Sequence, residues 1–127
     1  MTKNELKQFL KLKDEIIVLE YELESLQNRA DEDSRIYGVY SLTEDPDAEI
    51  SRREDEIKRR RAEYTRELHR IEEFIDGIND SQARTVFRLR YLEGWRWLPI
   101  AYRIGYADEQ RPRKLHDMYL IPQSMRA

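Results

Sequence analysis

Two long segments of the chain place apolar residues at alternating steps of three and four, the spacing of a heptad repeat. The first extends from about Asn4 to Asn28 and the second from about Ala48 to Gly77. Most positions between the apolar residues are charged, so each segment is predicted to be a long helix with one narrow apolar seam. The first seam consists of Phe9, Leu12, Ile16, Leu19, Leu23 and Leu26, and the second of Ile50, Ile57, Tyr64, Leu68, Ile71, Ile75 and Ile78.

The segment between the two seams, about residues 30–47, mixes acidic with turn-forming residues and is interpreted as a loop. Two helices with matching seams and such a connection fold back most economically as an antiparallel hairpin, residues 1–78. Glu54 and Arg61 interrupt the second seam, which predicts weak packing or salt bridges there. The basic run Lys58 to Arg61 lies among acidic residues and favours a solvated helix face over a phosphate site. A narrow seam leaves apolar surface uncovered, so we expect self-association or docking onto the C-terminal unit.

A small aromatic-rich unit is predicted for residues 79–127. Cap-type residues follow Gly77, and a first helix ends at Gly94. A short second helix carries Pro99 in its first turn, where an N–H has no intrahelical partner, and ends at Gly105. A third helix after this glycine turn completes a helix-turn-helix unit. Its predicted core consists of Val86, Phe87, Tyr91, Trp97, Ile100, Ala101, Ile104, Leu115 and Tyr119.

The predicted fold class is therefore all-α, a long antiparallel helical hairpin followed by a three-helix helix-turn-helix unit. The composition excludes several kinds of chemistry, because the 127 residues include no cysteine and only two histidines. Disulfides, thiolate catalysis and the usual zinc-finger ligand sets are ruled out, and no catalytic or metal-binding constellation is present. We expect no enzymatic activity and no cofactor. No run of about eighteen apolar residues occurs, and the first residues lack the apolar core of a signal peptide, so we expect a cytoplasmic protein without a membrane partner.

Charge is distributed unevenly along the chain, although the net charge is only −3. Residues 1–79 contain 14 Lys and Arg against 21 Asp and Glu, which gives −7. Residues 80–127 contain 9 against 5, which gives +4. The helix-turn-helix unit is therefore basic and suited to a nucleic-acid partner.

The third helix of this unit is the candidate recognition helix, because polar and basic residues lie on or beside its face away from Leu115 and Tyr119. Arg and Lys can contact phosphates or the guanine edge, and Gln can contact adenine. His116 is interpreted as a packed or surface side chain rather than a metal ligand. A basic helix that only meets solvent is the alternative interpretation. The candidate DNA-binding residues are Gln110, Arg111, Arg113, Lys114, Arg96 and Arg103, with Arg84 and Arg88 adding charge for backbone contacts.

The block RYLEGWRWLPIAYRIGY, with the later residues KLH, resembles a group of phage and prophage proteins whose fold is similar to sigma-factor region four. The group includes late-gene transcriptional regulators of the ArpU/RinA type and related prophage proteins. The resemblance covers about the last 45 residues and implies a DNA-binding helix-turn-helix unit; the group also commonly carries a helical N-terminal half. The matching residues are Arg90, Tyr91, Gly94, Trp97, Ile100, Ala101, Ile104, Gly105, Tyr106, Lys114, Leu115 and His116.

Two positions depart from the group's pattern at the start of the recognition helix. Ala107 replaces the usual capping serine, so Asp108 is predicted to be the cap. Pro112 stands where a valine-like core residue is expected. If Asp108 is the cap, Pro112 removes an intrahelical hydrogen bond; if Glu109 is, Pro112 lies in the first turn. The helix is therefore predicted either to start late or to bend.

The sequence predicts a DNA-binding transcriptional regulator of phage or prophage origin that places its recognition helix in the major groove of double-stranded DNA. The hairpin is expected to form a homodimer or to contact another protein, with RNA polymerase as a further partner. One alternative is a DNA-packaging subunit similar to a phage small terminase. Another is a helical adaptor that binds RNA polymerase and makes no contact with DNA.

Overall fold

The computed structural model describes residues 1–37 and 46–121. Helices account for 82% of the residues, and the described parts contain no β-strand, which confirms the all-α fold class. A hairpin of two long helices is followed by the helix-turn-helix unit, as predicted. The helices are α1 (Lys3–Tyr37), α2 (Pro46–Asp76), α3 (Ser81–Phe87) with a π-helical turn after it (Arg88–Leu92), α4 (Trp97–Arg103) and α5 (Gln110–Met118).

The first helix is longer than its apolar seam indicates. Residues 30–37, assigned to the loop of about residues 30–47 from the sequence, belong to α1, and α2 begins at Pro46. No glycine or proline precedes Gly38, so nothing in the backbone chemistry ends the helix earlier. The remaining positions of the predicted loop, 38–45, lie outside the described residues.

Contacts group the chain into two compact units, each described here by itself. The hairpin unit consists of residues 11–66, and the composite unit of Met1–Leu10 together with the chain from Glu67 onward. The predicted division into residues 1–78 and 79–127 stays a prediction about domains. By contacts, the first turns of α1 and the end of α2 belong with the three short helices.

In the hairpin unit, α1 and α2 pack along the predicted seams. Leu12, Ile16, Leu19 and Ile57 are buried, whereas Leu23, Leu26, Ile50 and Tyr64 are partly exposed. Ion pairs between the two antiparallel helices flank this seam. They include Arg60 Nε to Glu15 Oε1 at 3.2 Å and Arg53 Nη1 to Glu22 Oε2 at 3.1 Å.

At the position where the second seam is interrupted, the surface contains a groove of about 350 Å³. Glu54 and Leu23 line part of this groove. Arg61 also lines this groove and pairs there with Glu20 of α1. In the run Lys58 to Arg61, three side chains are exposed, as predicted for a solvated helix face. Arg60 is partly covered and pairs with acidic neighbours.

In the composite unit the core is aromatic. Phe87 contacts the ring of Phe74 edge to face with centroids 5.3 Å apart, and stacks on His116 at 5.1 Å. Edge-to-face and offset stacked rings are the favoured geometries of buried aromatic pairs. Of the predicted core, Val86, Phe87, Tyr91, Trp97, Ile100, Ala101 and Leu115 are buried; Ile104 and Tyr119 are only partly covered. The other buried residues of this core include Leu6, Phe9, Ile71, Ile75, Ile78, Ala83, Pro112 and His116.

Two glycines with positive φ set the turns that orient α4 and α5. Gly94 has φ 75° and Gly105 has φ 92°, a region that L side chains rarely adopt. After α4 the Tyr106 N–H donates to the Ala101 carbonyl at 2.8 Å and the Gly105 N–H donates to the Tyr102 carbonyl at 3.2 Å. These two bonds form a Schellman motif, which fixes where the chain leaves α4 and turns toward α5.

Candidate nucleic-acid interface

The candidate recognition helix, α5, starts late rather than bending. Glu109 is the residue before the first helical turn, so Pro112 is the third residue of α5. The missing N–H of Pro112 would have had no intrahelical partner there, and its ring is buried in the core. Asp108 is therefore not the cap residue. Its Oδ1 nevertheless accepts a hydrogen bond from the Gln110 N–H at 2.9 Å and satisfies one of the free donors of the helix start.

One side of α5 is fixed to the core and the opposite side is exposed. Pro112, Leu115 and His116 are buried. The exposed residues at helical spacing on the other side are Gln110, Arg113, Lys114 and Asp117, whereas Arg111 is partly covered. The structure thus brings Gln110, Arg113 and Lys114 onto one exposed surface, which we call the α5 polar face.

The cation of Arg113 is held in place by two neighbours. Its guanidinium carbon lies 5.1 Å from the ring centroid of Trp97, and its Nη2 is 2.9 Å from Glu109 Oε2. Arg90 also approaches Trp97, at 4.8 Å, and donates from Nη1 to the Trp95 carbonyl at 3.0 Å. Cation–π contacts of this kind orient a guanidinium and cover the indole. Arg113 is therefore positioned but partly neutralised, which makes it a weaker candidate for reading bases than its exposure indicates.

Arg111 is held in a similar way, with its guanidinium carbon 5.9 Å from the ring centroid of Tyr106. By contrast, the side chains of Gln110 and Lys114 make no hydrogen bond or ion pair within residues 1–37 and 46–121. An exposed amide and an exposed ammonium without internal partners are available to a ligand. The sequence could not separate the held residues from the available ones, because the contacts depend on where Trp97 and Tyr106 lie.

The cations outside α5 also divide into available and engaged groups. Arg96 and Arg103 are exposed at the two ends of α4 and have no ionic partner among the described residues. Arg84 donates from Nη1 to the Ile78 carbonyl at 2.6 Å, and Arg88 Nη2 is 3.2 Å from Asp76 Oδ1. Arg84 and Arg88 therefore connect α3 and the turn after it to the end of α2 and the residues that follow it. These contacts weaken the expectation that the two arginines bind a DNA backbone.

A hydrogen-bonded chain anchors the back of α5. The buried His116 lies between the Tyr91 hydroxyl at Nε2 and Asp117 Oδ1 at Nδ1, with the latter distance 2.9 Å. Because a carboxylate only accepts, Nδ1 carries the proton and Nε2 accepts from the Tyr91 hydroxyl. Lys3 extends the chain, with its Nζ 3.4 Å from Asp117 Oδ1. His116 is thus a packed residue rather than a surface one, the two alternatives that the sequence left open.

The protonation states of this chain follow from its burial. Burial lowers the pKa of His116, although the hydrogen bond to Asp117 acts in the opposite direction, so the imidazole is neutral at pH 7. Burial raises the pKa of Tyr91 to about 12, so its hydroxyl remains a donor. No cluster of acidic, His or Cys residues with the geometry of a metal site occurs in the described parts of the chain.

The first residues of α1 and those before it also contact the segment that follows α5. Thr2 is buried, and an isolated parallel bridge joins it to Ile121, whose N–H donates to the Met1 carbonyl at 3.0 Å. The Thr2 hydroxyl accepts from the Glu5 N–H at 3.2 Å and so caps α1. Sequence reasoning missed this contact, because a threonine near a helix start indicates a cap but does not identify a distant partner.

The fold and this surface define an all-α protein with a helical hairpin and a basic helix-turn-helix unit. No protein-family model matches the chain, and neither the curated proteins nor the solved structures contain a match. No helix among residues 1–37 and 46–121 is long and apolar enough to span a bilayer.

Proposed function

We propose that this protein binds double-stranded DNA through α5 and acts as a transcriptional regulator of the phage or prophage type that its sequence resembles. The observation that carries the proposal is the α5 polar face. A rigidly anchored helix presents Gln110 and Lys114, whose side chains have no partner among the described residues, on the side opposite its buried residues. That arrangement is what a recognition helix needs, because its side chains must exchange water for base edges without losing contacts within the protein.

The chemistry of the available residues supports a division of roles. The Gln110 amide can pair with the two adenine groups in the major groove, and the Lys114 ammonium can contact guanine or a phosphate. Arg96 and Arg103 are placed at the ends of α4 to contact the phosphate backbone. Arg111 and Arg113, each beside an aromatic ring, are proposed to position the helix rather than to read sequence.

The hairpin is proposed to form a homodimer, with RNA polymerase as a second partner. A single small helix-turn-helix module buries little surface on DNA, and a dimer that binds two half-sites increases affinity and fixes their spacing. The positive charge of residues 80–127 supplies attraction to phosphates even though the whole chain is acidic.

The test is the salt dependence of DNA binding by the full-length protein and its Lys114→Ala variant. The wild type is expected to bind duplex DNA with an affinity that falls steeply as salt rises. If Lys114 contacts a phosphate, the variant loses affinity and its salt slope falls by about 1. Lys58→Ala, which removes an exposed cation from α2, is the matched control and should leave both quantities unchanged.

Other outcomes identify the competing functions. Ring-shaped assemblies of many copies that bind DNA with little sequence preference would indicate a packaging subunit. Absence of salt-sensitive DNA binding would leave the adaptor for RNA polymerase and would contradict the proposal. Equal effects of Lys114→Ala and Lys58→Ala would show that α5 is not the DNA-binding element.

A further inference from the structure

A patch of apolar side chains lies on the face of α1 away from its seam, within the hairpin unit. Ile17, Val18 and Tyr21 are 58%, 53% and 70% exposed, whereas Ile16 and Leu19 on the seam are buried. Three large apolar residues within about one helical turn form a contiguous surface. The hairpin unit has only two long helices, which leave their outer faces uncovered. Clustered apolar exposure of this kind marks an interaction surface.

We propose that this α1 patch, Ile17, Val18 and Tyr21, is where a second copy of the chain docks in antiparallel orientation. The hairpins of two chains then pack through their first helices, α1 of one copy against α1 of the other. The proposal rests on the homodimer named under the proposed function and assigns it a surface. It does not depend on DNA.

The charges beside the patch favour a second copy in this orientation. Lys11 and Lys13 lie on the N-terminal side of the patch, and Glu22 and Glu24 on its C-terminal side. At 3.6 residues per turn, Lys13 and Glu24 flank one edge of the patch, and Lys11 and Glu22 the other, where Glu22 already pairs with Arg53 of its own chain. A two-fold axis between positions 17 and 18 brings each lysine opposite a glutamate of the second copy on the same edge.

The symmetry of the docking makes the patch complementary to itself. Lys13 faces Glu24 of the second copy, and the same contact occurs a second time because an isologous interface repeats every pair. Asp14 lies opposite Tyr21, whose hydroxyl can donate to the carboxylate. A parallel arrangement would instead set lysines beside lysines and glutamates beside glutamates, which disfavours it. The same surface on each copy therefore forms the two sides of the interface, and a partner of other sequence is not needed.

Two single charge reversals and their mixture test the proposal. Lys13→Glu and Glu24→Lys each place like charges together at both copies of the contact, and each should weaken dimerisation about tenfold or more. An equimolar mixture of the two variants should associate again, because every pair in the mixed dimer is opposite in charge. Sedimentation equilibrium of the full-length chain without DNA measures both effects. Arg66→Glu, an exposed reversal in α2, is the control and should dimerise as the wild type does.

A substitution within the apolar patch is a second test of the dimer interface. Ile17→Glu should give a monomer, with helix content by circular dichroism unchanged because the residue is exposed. A wild type that stays monomeric at all concentrations overturns the proposal. So does a dimer indifferent to the reversals, or single variants that are not rescued by mixing. A monomer that still binds DNA through Lys114 would overturn this inference and the homodimer but leave the proposed DNA binding, and a dimer without DNA binding would overturn the DNA-binding function alone.

Discussion

His116 is the residue on which the packing of α5 depends most directly. It stacks on Phe87 and Tyr91 at centroid distances of 5.1 Å and 5.6 Å and meets Trp97 edge-on at 5.0 Å. Both ring nitrogens have polar partners, and the neutral imidazole satisfies both of them with the tautomer described above. A proton added to this ring would displace the Tyr91 hydroxyl proton from Nε2 and place a charge in an aromatic core.

We therefore expect the stability of the protein to fall below about pH 6.5, the ordinary pKa of histidine. The pKa of His116 is lowered in the folded state, so the unfolded chain binds more protons, and the free energy of unfolding decreases as the pH falls. The slope is up to about 1.4 kcal/mol per pH unit. Urea denaturation at a series of pH values on both sides of about pH 6.5 should show this slope in the wild type and lose it in His116→Gln. The variant His69→Gln, at an exposed histidine, should keep the slope.

Trp97 contributes both apolar packing and a surface for two cations. Removing its indole in Trp97→Ala should lower the free energy of unfolding by about 3–5 kcal/mol, because a largely buried ring is lost. Trp97→Phe keeps an aromatic face for Arg90 and Arg113 and should lose clearly less. Equilibrium urea unfolding of both variants gives the comparison, and equal losses would show that the cation contacts and ring area are unimportant there.

At the scale of elements, the start of α5 shows how a proline near the start of a helix is accommodated. The helix begins one residue later than the cap prediction placed it, and this shift makes Pro112 compatible with an unbent first turn. The Asp108 carboxylate still serves the helix by accepting from the Gln110 N–H. The polar face is consequently presented from a straight, well-terminated helix.

The variant Asp108→Ala should lower the free energy of unfolding by about 1 kcal/mol, the usual value of a side-chain bond at a helix start. Asp108→Asn keeps the accepting oxygen and should retain most of that stability. Thermal unfolding followed by circular dichroism measures the difference. A loss in Asp108→Asn as large as in Asp108→Ala would mean that charge near the helix start matters more than the hydrogen bond.

The sequence predicted the elements wherever a periodic or backbone signal was present. Heptad spacing predicted both long helices, α1 and α2. Pro99 and Gly105 marked the start and end of α4. The continuation of α1 to Tyr37 was missed because residues 30–37 are mostly polar and do not continue the apolar period, while their backbone remains free to be helical. The π-helical turn, with the Glu93 N–H donating to the Arg88 carbonyl at 3.1 Å, has no sequence signal of its own.

The candidate site was predicted in composition and only partly in geometry. Gln110, Arg113 and Lys114 share a face, as the 3.6-residue period predicts. Which of the cations are already engaged depends on tertiary contacts, such as those of Arg113 with Trp97 and of Arg88 with Asp76. Those contacts join residues on different helices, so no local pattern specifies them.

At the scale of the whole molecule, the two compact units differ in how they are assembled from the chain. The hairpin unit is one continuous segment, residues 11–66, whereas the composite unit joins Met1–Leu10 to the chain from Glu67 onward. The unit that carries the proposed DNA-binding face is therefore discontinuous in sequence. Its stability draws on α1 and α2 as well as on the three short helices.

The bridge between Thr2 and Ile121 has a consequence for folding kinetics. Helical proteins usually form rapidly because most of their contacts are close in sequence, and the contacts along α3, α4 and α5 are of this kind. The bridge instead joins positions near opposite ends of the chain, so closing it carries a large loop-closure entropy. A ribosome-bound chain can form the residue 11–66 hairpin early, but it cannot complete the surface behind α5 until Ile121 has left the exit tunnel.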